Sequence, residues 1–69
     1  YKEPTMSTYI ERMIEEQLQL RERLRKLEAF IDTPKFDGLD ELDRNLLRSQ
    51  SWATINYLEI LAQRIERAD

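Results

Sequence analysis

Residues 46–65 read LLRSQSWATINYLEILAQRI and decide the fold, because they predict a long helix with more apolar surface than one partner helix covers. At helical spacing the apolar positions form two adjacent stripes. The first stripe contains Leu46, Ala53, Tyr57 and Ile60, and the second contains Leu47, Thr54, Leu58, Leu61 and Ile65. One stripe can pack inside the molecule. The other requires a second chain, so we expect self-association and a function at a subunit interface.

The composition favours the same conclusion. A chain of 69 residues, 41% hydrophobic and 36% charged, predicts one small domain. A core of this size seldom supplies more than about 3–5 kcal/mol without disulfides, a metal or oligomerisation. The chain has no cysteine and no histidine, which disfavours the first two. No segment has the pattern of a membrane span or a signal peptide, so we expect no membrane contact and a cytosolic location.

The N-terminal half predicts a first long helix. Thr8 and Glu11 form a capping box, so we place its start at Thr8. Its end is expected near Ile31, because Pro34 disfavours helical backbone in the residue before it. Between them runs a heptad seam made of Ile10, Met13, Gln17, Leu20, Leu24, Leu27 and Ile31. Ile14, Leu18 and Phe30 flank this seam and are candidate contacts to a second hairpin.

The segment between the two helices predicts a sharp reversal of the chain. Residues 33–38, TPKFDG, have the form of a cap, a first-turn proline, one short helical turn and a glycine stop. Asp40 is expected to cap a second helix over about 41–67. The predicted fold is therefore all-α, an antiparallel two-helix hairpin with a short helical turn, assembling into a symmetric oligomer. Residues 1–7 are expected to be a flexible segment or tag remnant, and 8–69 the hairpin domain.

Catalysis is poorly supported by the side chains present. Without histidine or cysteine, an enzyme would depend on carboxylates, lysine, tyrosine or a hydroxyl. The acidic cluster of Asp37, Asp40, Glu41 and Asp43 suits a helix N-terminus better than a divalent metal site. We therefore expect no catalytic residue, no metal and no cofactor.

The basic run Arg21-Glu22-Arg23-Leu24-Arg25-Lys26 is the strongest polar signal. One interpretation is structural, because late cations offset the helix dipole and Glu22 can pair with Lys26. The alternative is an anion pocket in which Arg25 and Lys26 meet phosphate. The aromatic rings of Tyr9, Phe30 and Trp52 would then stack on a base. A DNA or RNA polymer is disfavoured, because the net charge is −3 and the cations form a local patch.

The spaced apolar and aromatic positions resemble a known family. They are the segment Leu24-Arg25-Lys26-Leu27-Glu28-Ala29-Phe30-Ile31, then Phe36, Leu39, Leu46-Leu47, Gln50, Ala53, Tyr57, Ile60-Leu61, Arg64 and Ile65. The pattern is similar to the hairpin domain of phage anti-CBASS cyclic-nucleotide sponges, shared with Thoeris anti-defence sponges. This resemblance implies a non-enzymatic homohexamer in the host cytoplasm. Its expected ligands are cyclic dinucleotides such as cyclic GMP-AMP, with cyclic trinucleotides as a second class.

The resemblance also implies binding residues. Tyr9 and Lys26 are the candidates for a cyclic dinucleotide, and Arg64 with Arg67 for a cyclic trinucleotide. Thr54 is a further candidate, at a position where the family pattern leads us to expect a larger apolar residue. A two-fold interface would present Lys26 twice to a ligand with two phosphates. The alternative is a structural or protein-binding coiled-coil oligomer with no small-molecule ligand.

Overall fold

Two long helices joined by a short one make up the computed structural model, which describes residues 6–68. Helix α1 spans Met6–Ile31, α2 spans Pro34–Asp37 and α3 spans Glu41–Ala68. The long helices pack side by side in a flat hairpin of 55 × 20 × 14 Å. Within residues 6–68 there is no β-strand. The predicted all-α hairpin with a short helical turn is confirmed.

The start of α1 differs from the prediction. The helix begins at Met6, two residues before Thr8, so the predicted start at Thr8 is wrong. A capping box is a local preference worth about 1 kcal/mol, and neither Met6 nor Ser7 is a helix breaker. The helix therefore continues through the capping signal. Residues 1–5 of the predicted flexible segment lie outside the described residues.

The chain reverses between Ile31 and Glu41 through a series of short-range hydrogen bonds. The Thr33 hydroxyl donates to the Phe30 carbonyl at 2.6 Å and so closes the end of α1, whereas it makes no capping bond to α2. The Gly38 N–H donates back to the carbonyls of Pro34 and Lys35, at 3.2 and 3.1 Å, and closes α2. The connection is thereby tied to the helices on both sides.

The start of α3 confirms the predicted cap. The Asp40 carboxylate accepts a hydrogen bond from the Asp43 backbone N–H at 2.9 Å. This bond satisfies one of the N–H groups that a helix leaves without a partner at its first turn. Arg44 donates to the carbonyl of Asp37 at 3.3 Å and to that of Leu39, which ties α3 back to the connection.

The core is a thin seam between α1 and α3, closed at one end by α2. Met13, Phe36 and Leu61 are buried, with exposures of 4%, 1% and 0%. The ring of Phe36 meets Phe30 edge to face at 6.2 Å between centroids, and the Arg48 guanidinium lies 5.0 Å from its centroid. The seam also contains half-buried residues, namely Ile10, Gln17, Leu20, Leu24, Leu27 and Ile31 of α1. The predicted heptad seam of α1 is confirmed.

The two apolar stripes of α3 differ in burial. The stripe of Leu47, Thr54, Leu58, Leu61 and Ile65 is buried or half-buried, whereas Leu46, Ala53, Tyr57 and Ile60 are exposed. We call these four exposed residues the outer stripe. One stripe thus packs within the hairpin, as predicted, and the outer stripe is free to contact another chain.

Candidate ligand-binding site

The end of the hairpin remote from the turn brings an arginine onto a tyrosine. Arg64 of α3 donates a hydrogen bond from Nη2 to the hydroxyl of Tyr9 in α1, and its guanidinium carbon lies 5.8 Å from the ring centroid. Both residues are exposed. No carboxylate among the described residues lies within ion-pair distance of Arg64. The guanidinium is therefore positioned by an aromatic ring and keeps its charge available to an anion.

A second tyrosine lies close to the same arginine. The Tyr57 hydroxyl donates to Glu16 Oε2 at 2.5 Å. This bond raises the pKa of Tyr57 above its ordinary value, because it stabilises the neutral phenol, and partial burial and the charge of Glu16 act in the same direction. The charge of Arg64 opposes the rise in pKa. The apolar spacing of the sequence places Tyr57 in a stripe and gives no sign of this polar contact, which depends on the pairing of the two helices.

The basic run on α1 is partly neutralised by one carboxylate. Arg25 donates to Glu22 from Nη2 at 2.6 Å and from Nε at 3.2 Å. Lys26 Nζ lies 4.0 Å from the same carboxylate. The hydrogen bond from Arg25 is the main cause that lowers the pKa of Glu22. The predicted pair of Glu22 with Lys26 is present, but Arg25 is the closer partner.

Compensation of the helix dipole explains the basic run poorly. The first turn of α1 contains no acidic residue and its last turn no basic residue. The field of the dipole acts mainly within those terminal turns. Lys26 lies more than a turn before Ile31 and its side chain is 71% exposed, so its charge faces solvent. The exposed cations of the run are therefore accessible to an anion, as the second interpretation of the run requires.

An open cavity of about 410 Å³ lies near the turn, between the end of α1 and the start of α3. Two carboxylates line it, Glu28 in the last turns of α1 and Asp32 directly after that helix, together with Arg48, Ser51 and Trp52 from α3. The remaining lining is apolar and comes from Ile31 and Ile55. Trp52 is the only one of these residues that the sequence indicated as a binding candidate. One feature of the sequence could have indicated these residues. Glu28 and Asp32 are four residues apart, as are Arg48 and Trp52, and this spacing places the two side chains of each pair on the same side of a helix.

The other predicted binding residues are spread over the hairpin. Lys26 follows Tyr9 by 17 residues on one helix, a separation of about 25 Å at about 1.5 Å per residue. Phe30 is half-buried against Phe36 and does not line the cavity. The Thr54 hydroxyl donates to the Gln50 carbonyl at 2.8 Å. Arg67 lies in the last turn of α3, where a cation favours the helix C-terminus.

Neither a metal site nor a membrane span is found in the part of the chain that the structure describes. No group of three or more potential ligands among residues 6–68 could hold a metal ion. In the same range, no helix is long and apolar enough to cross a membrane. The acidic residues near the turn instead cap and begin α3, as Asp40 shows.

The fold and its exposed side chains define the class of protein, which is a small all-helical hairpin with accessible cations and aromatic rings. The chain belongs to the Sequestin family, because the model of that family, described as Sequestin, matches residues 7–67. The match confirms the resemblance to phage anti-defence sponges. Searches of curated proteins and of solved structures returned no match. Membership indicates a binding role in which the protein sequesters a small signal molecule.

Proposed function

We propose that this protein is a phage anti-defence sponge that binds cyclic oligonucleotide immune signals in the host cytoplasm and holds them without cleavage. Cyclic dinucleotides such as cyclic GMP-AMP are the proposed main ligands, and cyclic trinucleotides a second class. The observation that carries the proposal is the family match over residues 7–67. The exposed cations and aromatic rings of the hairpin supply the chemistry that such ligands require.

Phosphate binding would fall to the cations that the fold leaves accessible. Arg64 is positioned on Tyr9 and has no carboxylate partner among residues 6–68. Lys26 is exposed and lies 4.0 Å from Glu22, a weak contact that an incoming phosphate can replace. Charge-assisted hydrogen bonds to phosphate are roughly twice as strong as neutral ones. A few of these bonds, combined with base stacking, suffice for tight binding without any reaction.

The separation of Tyr9 and Lys26 supports an assembly. Because about 25 Å of helix lies between them, a ligand held by both must receive them from different copies of the chain. The hairpin leaves apolar residues exposed on both long helices for such contacts. They include Leu18 at 55%, Leu46 at 57% and Ile60 at 46%. We propose a homohexamer in which neighbouring copies complete each site.

A coiled-coil oligomer without a ligand is the second candidate. The observation that favours it is the outer stripe, which a helix of another chain could cover without leaving room for a nucleotide. It predicts the same assembly but no retained small molecule. Ligand retention therefore separates the two candidates, whereas oligomer mass alone does not.

The test is native mass spectrometry of the protein mixed with cyclic GMP-AMP and with a cyclic trinucleotide. We expect an oligomer that retains intact ligand in a fixed ratio. Lys26→Ala should lower the affinity for cyclic GMP-AMP at least tenfold with the oligomer mass unchanged. Arg23→Ala is the matched control, since it removes an exposed cation from the same run outside the proposed site. An oligomer that retains neither ligand would contradict the proposal and favour the coiled coil.

A further inference from the structure

Two side-chain contacts join the long helices near the end of the hairpin remote from the turn. Arg64 donates to the Tyr9 hydroxyl, and the Tyr57 hydroxyl donates to Glu16 Oε2 at 2.5 Å. Seven residues separate the two members on α1, and seven separate the two members on α3. The antiparallel helices therefore bring these four side chains together in one register. We call them the tyrosine–arginine cluster.

The cation and the carboxylate of this cluster do not pair with each other. Among residues 6–68, neither Arg64 nor Glu16 takes part in an ion pair. Each is hydrogen-bonded to a tyrosine hydroxyl instead. The hydrogen bond to Glu16 raises the pKa of Tyr57 and the charge of Arg64 lowers it, so both charged groups act on the same phenol. The two opposite charges are therefore close neighbours that remain separate.

Glu16 is the carboxylate that the fold brings toward Arg64. On its own helix, the positions three and four residues from Arg64, where a partner would lie, contain no acid. They are Ile60, Leu61, Arg67 and Ala68. Long side chains on a helix lean toward its N-terminus. Because α1 and α3 are antiparallel, this lean directs the charged ends of Glu16 and Arg64 toward each other.

We infer that Tyr57 is a positioning residue, whose hydroxyl engages Glu16 and so keeps Arg64 unpaired for an anion. The inference deepens the proposed function, because Arg64 is one of the cations proposed to bind phosphate. A hydrogen bond from a hydroxyl to a carboxylate is charge-assisted and roughly twice as strong as a neutral one. An exposed ion pair contributes little by comparison. Glu16 therefore stays with Tyr57.

Two alternatives give different expectations for a variant without the Tyr57 hydroxyl. In the first, the released Glu16 pairs with Arg12, which lies four residues before it on α1. A base before the acid is the weaker order at this spacing, and the anion affinity of Arg64 would not change. In the second, the Tyr57 hydroxyl itself binds the anion. The affinity would then fall and would stay low without the charge of Glu16.

The test removes the Tyr57 hydroxyl first and the Glu16 charge second. Inorganic pyrophosphate is the probe, and the NMR shift of the Arg64 Nε–H during titration measures its affinity at that side chain. Tyr57→Phe keeps the aromatic ring and should weaken pyrophosphate binding about two- to fivefold, as expected when an exposed ion pair competes with the anion. Adding Glu16→Gln should restore the affinity, because the competing carboxylate is then gone.

A neighbouring carboxylate provides the matched control. Glu15 is exposed on α1 and accepts a hydrogen bond from Gln19 of the same helix. Tyr57→Phe combined with Glu15→Gln should bind pyrophosphate as weakly as Tyr57→Phe alone, with the same helix content by circular dichroism. Unchanged affinity in Tyr57→Phe, or a loss that Glu16→Gln does not restore, would overturn the inference. Equal rescue by Glu15→Gln would overturn it too, since it would indicate a general effect of charge.

The two proposals fail separately. If the protein retains a cyclic oligonucleotide but Tyr57→Phe binds pyrophosphate as well as the parent chain, the positioning role is refuted and the sponge remains. If the variants behave as expected but no cyclic oligonucleotide is retained, the sponge is refuted and the positioning role remains.

Discussion

Replacing Leu61 by alanine tests whether the seam between α1 and α3 holds the hairpin together. Leu61 is fully buried, with 0% exposure. The change removes three buried carbon groups, worth about 2.4 kcal/mol at about 0.8 kcal/mol each, and leaves a cavity that brings the usual cost to about 2–5 kcal/mol. A core of this size supplies only about 3–5 kcal/mol. We therefore expect Leu61→Ala to lose most of its stability.

The assay is urea unfolding followed by circular dichroism at 222 nm. With a slope of about 1 kcal/mol per molar urea, a loss of about 2.5 kcal/mol lowers the midpoint by about 2.5 M. The neighbouring residue is the matched control, because Ile60 lies in the outer stripe and is 46% exposed. Ile60→Ala should destabilise mainly the associated state of the protein. Its effect on the urea midpoint should therefore become smaller as the protein is diluted. The Leu61→Ala loss should persist on dilution, and equal behaviour of the two variants would refute the reasoning.

Three further predictions follow from single contacts. Asp40→Ala removes the cap of α3 and should lower the free energy of unfolding by about 0.5–2 kcal/mol, measured as a fall in Tm of several degrees. An unchanged Tm would show that the cap does not stabilise the fold. Arg25→Gln should raise the pKa of Glu22, measured by NMR titration, because the lowered pKa depends first on the Arg25 hydrogen bond. The pair of Arg25 and Glu22 stabilises the fold at pH values above the unfolded-state pKa of Glu22 and loses this effect as pH falls through the folded-state pKa. An unchanged pKa of Glu22 in the variant would exclude Arg25 as the cause. Glu16→Gln should lower the pKa of Tyr57, measured from the NMR shift of its ring carbons, since Glu16 raises that pKa. The contact stabilises the fold below the unfolded-state pKa of Tyr57 and loses this effect as pH rises through the folded-state pKa. An unchanged pKa of Tyr57 in the variant would contradict the contact.

The helix pattern was predictable because it rests on local rules. Pro34 ends α1 and Asp40 begins α3 through interactions within a few residues of the chain. The start at Thr8 was mispredicted for a related reason, since a cap signal weighs little against helix continuation. Which stripe of α3 packs inside was not predictable, because both stripes are apolar and the choice depends on the rotation of one helix against the other.

The contacts between the two long helices could not be predicted from the sequence. The contact of Tyr9 with Arg64, and that of Glu16 with Tyr57, follow from the antiparallel register of α1 and α3. That register is set by the path of the chain through α2, where Phe36 is buried. The sequence identified Tyr9 and Arg64 as binding candidates but assigned them to different ligands. In the hairpin they are neighbours.

The central claim is that the protein holds a cyclic oligonucleotide without converting it. The most direct measurement is recovery of cyclic GMP-AMP: incubate it with excess protein, remove free ligand by filtration, denature the retained protein and quantify the released compound by chromatography. We predict that cyclic GMP-AMP is retained by the protein and released chemically intact after prolonged incubation. Linear products in the released fraction would contradict sequestration, and cyclic GMP-AMP that passes freely through the filter would contradict binding.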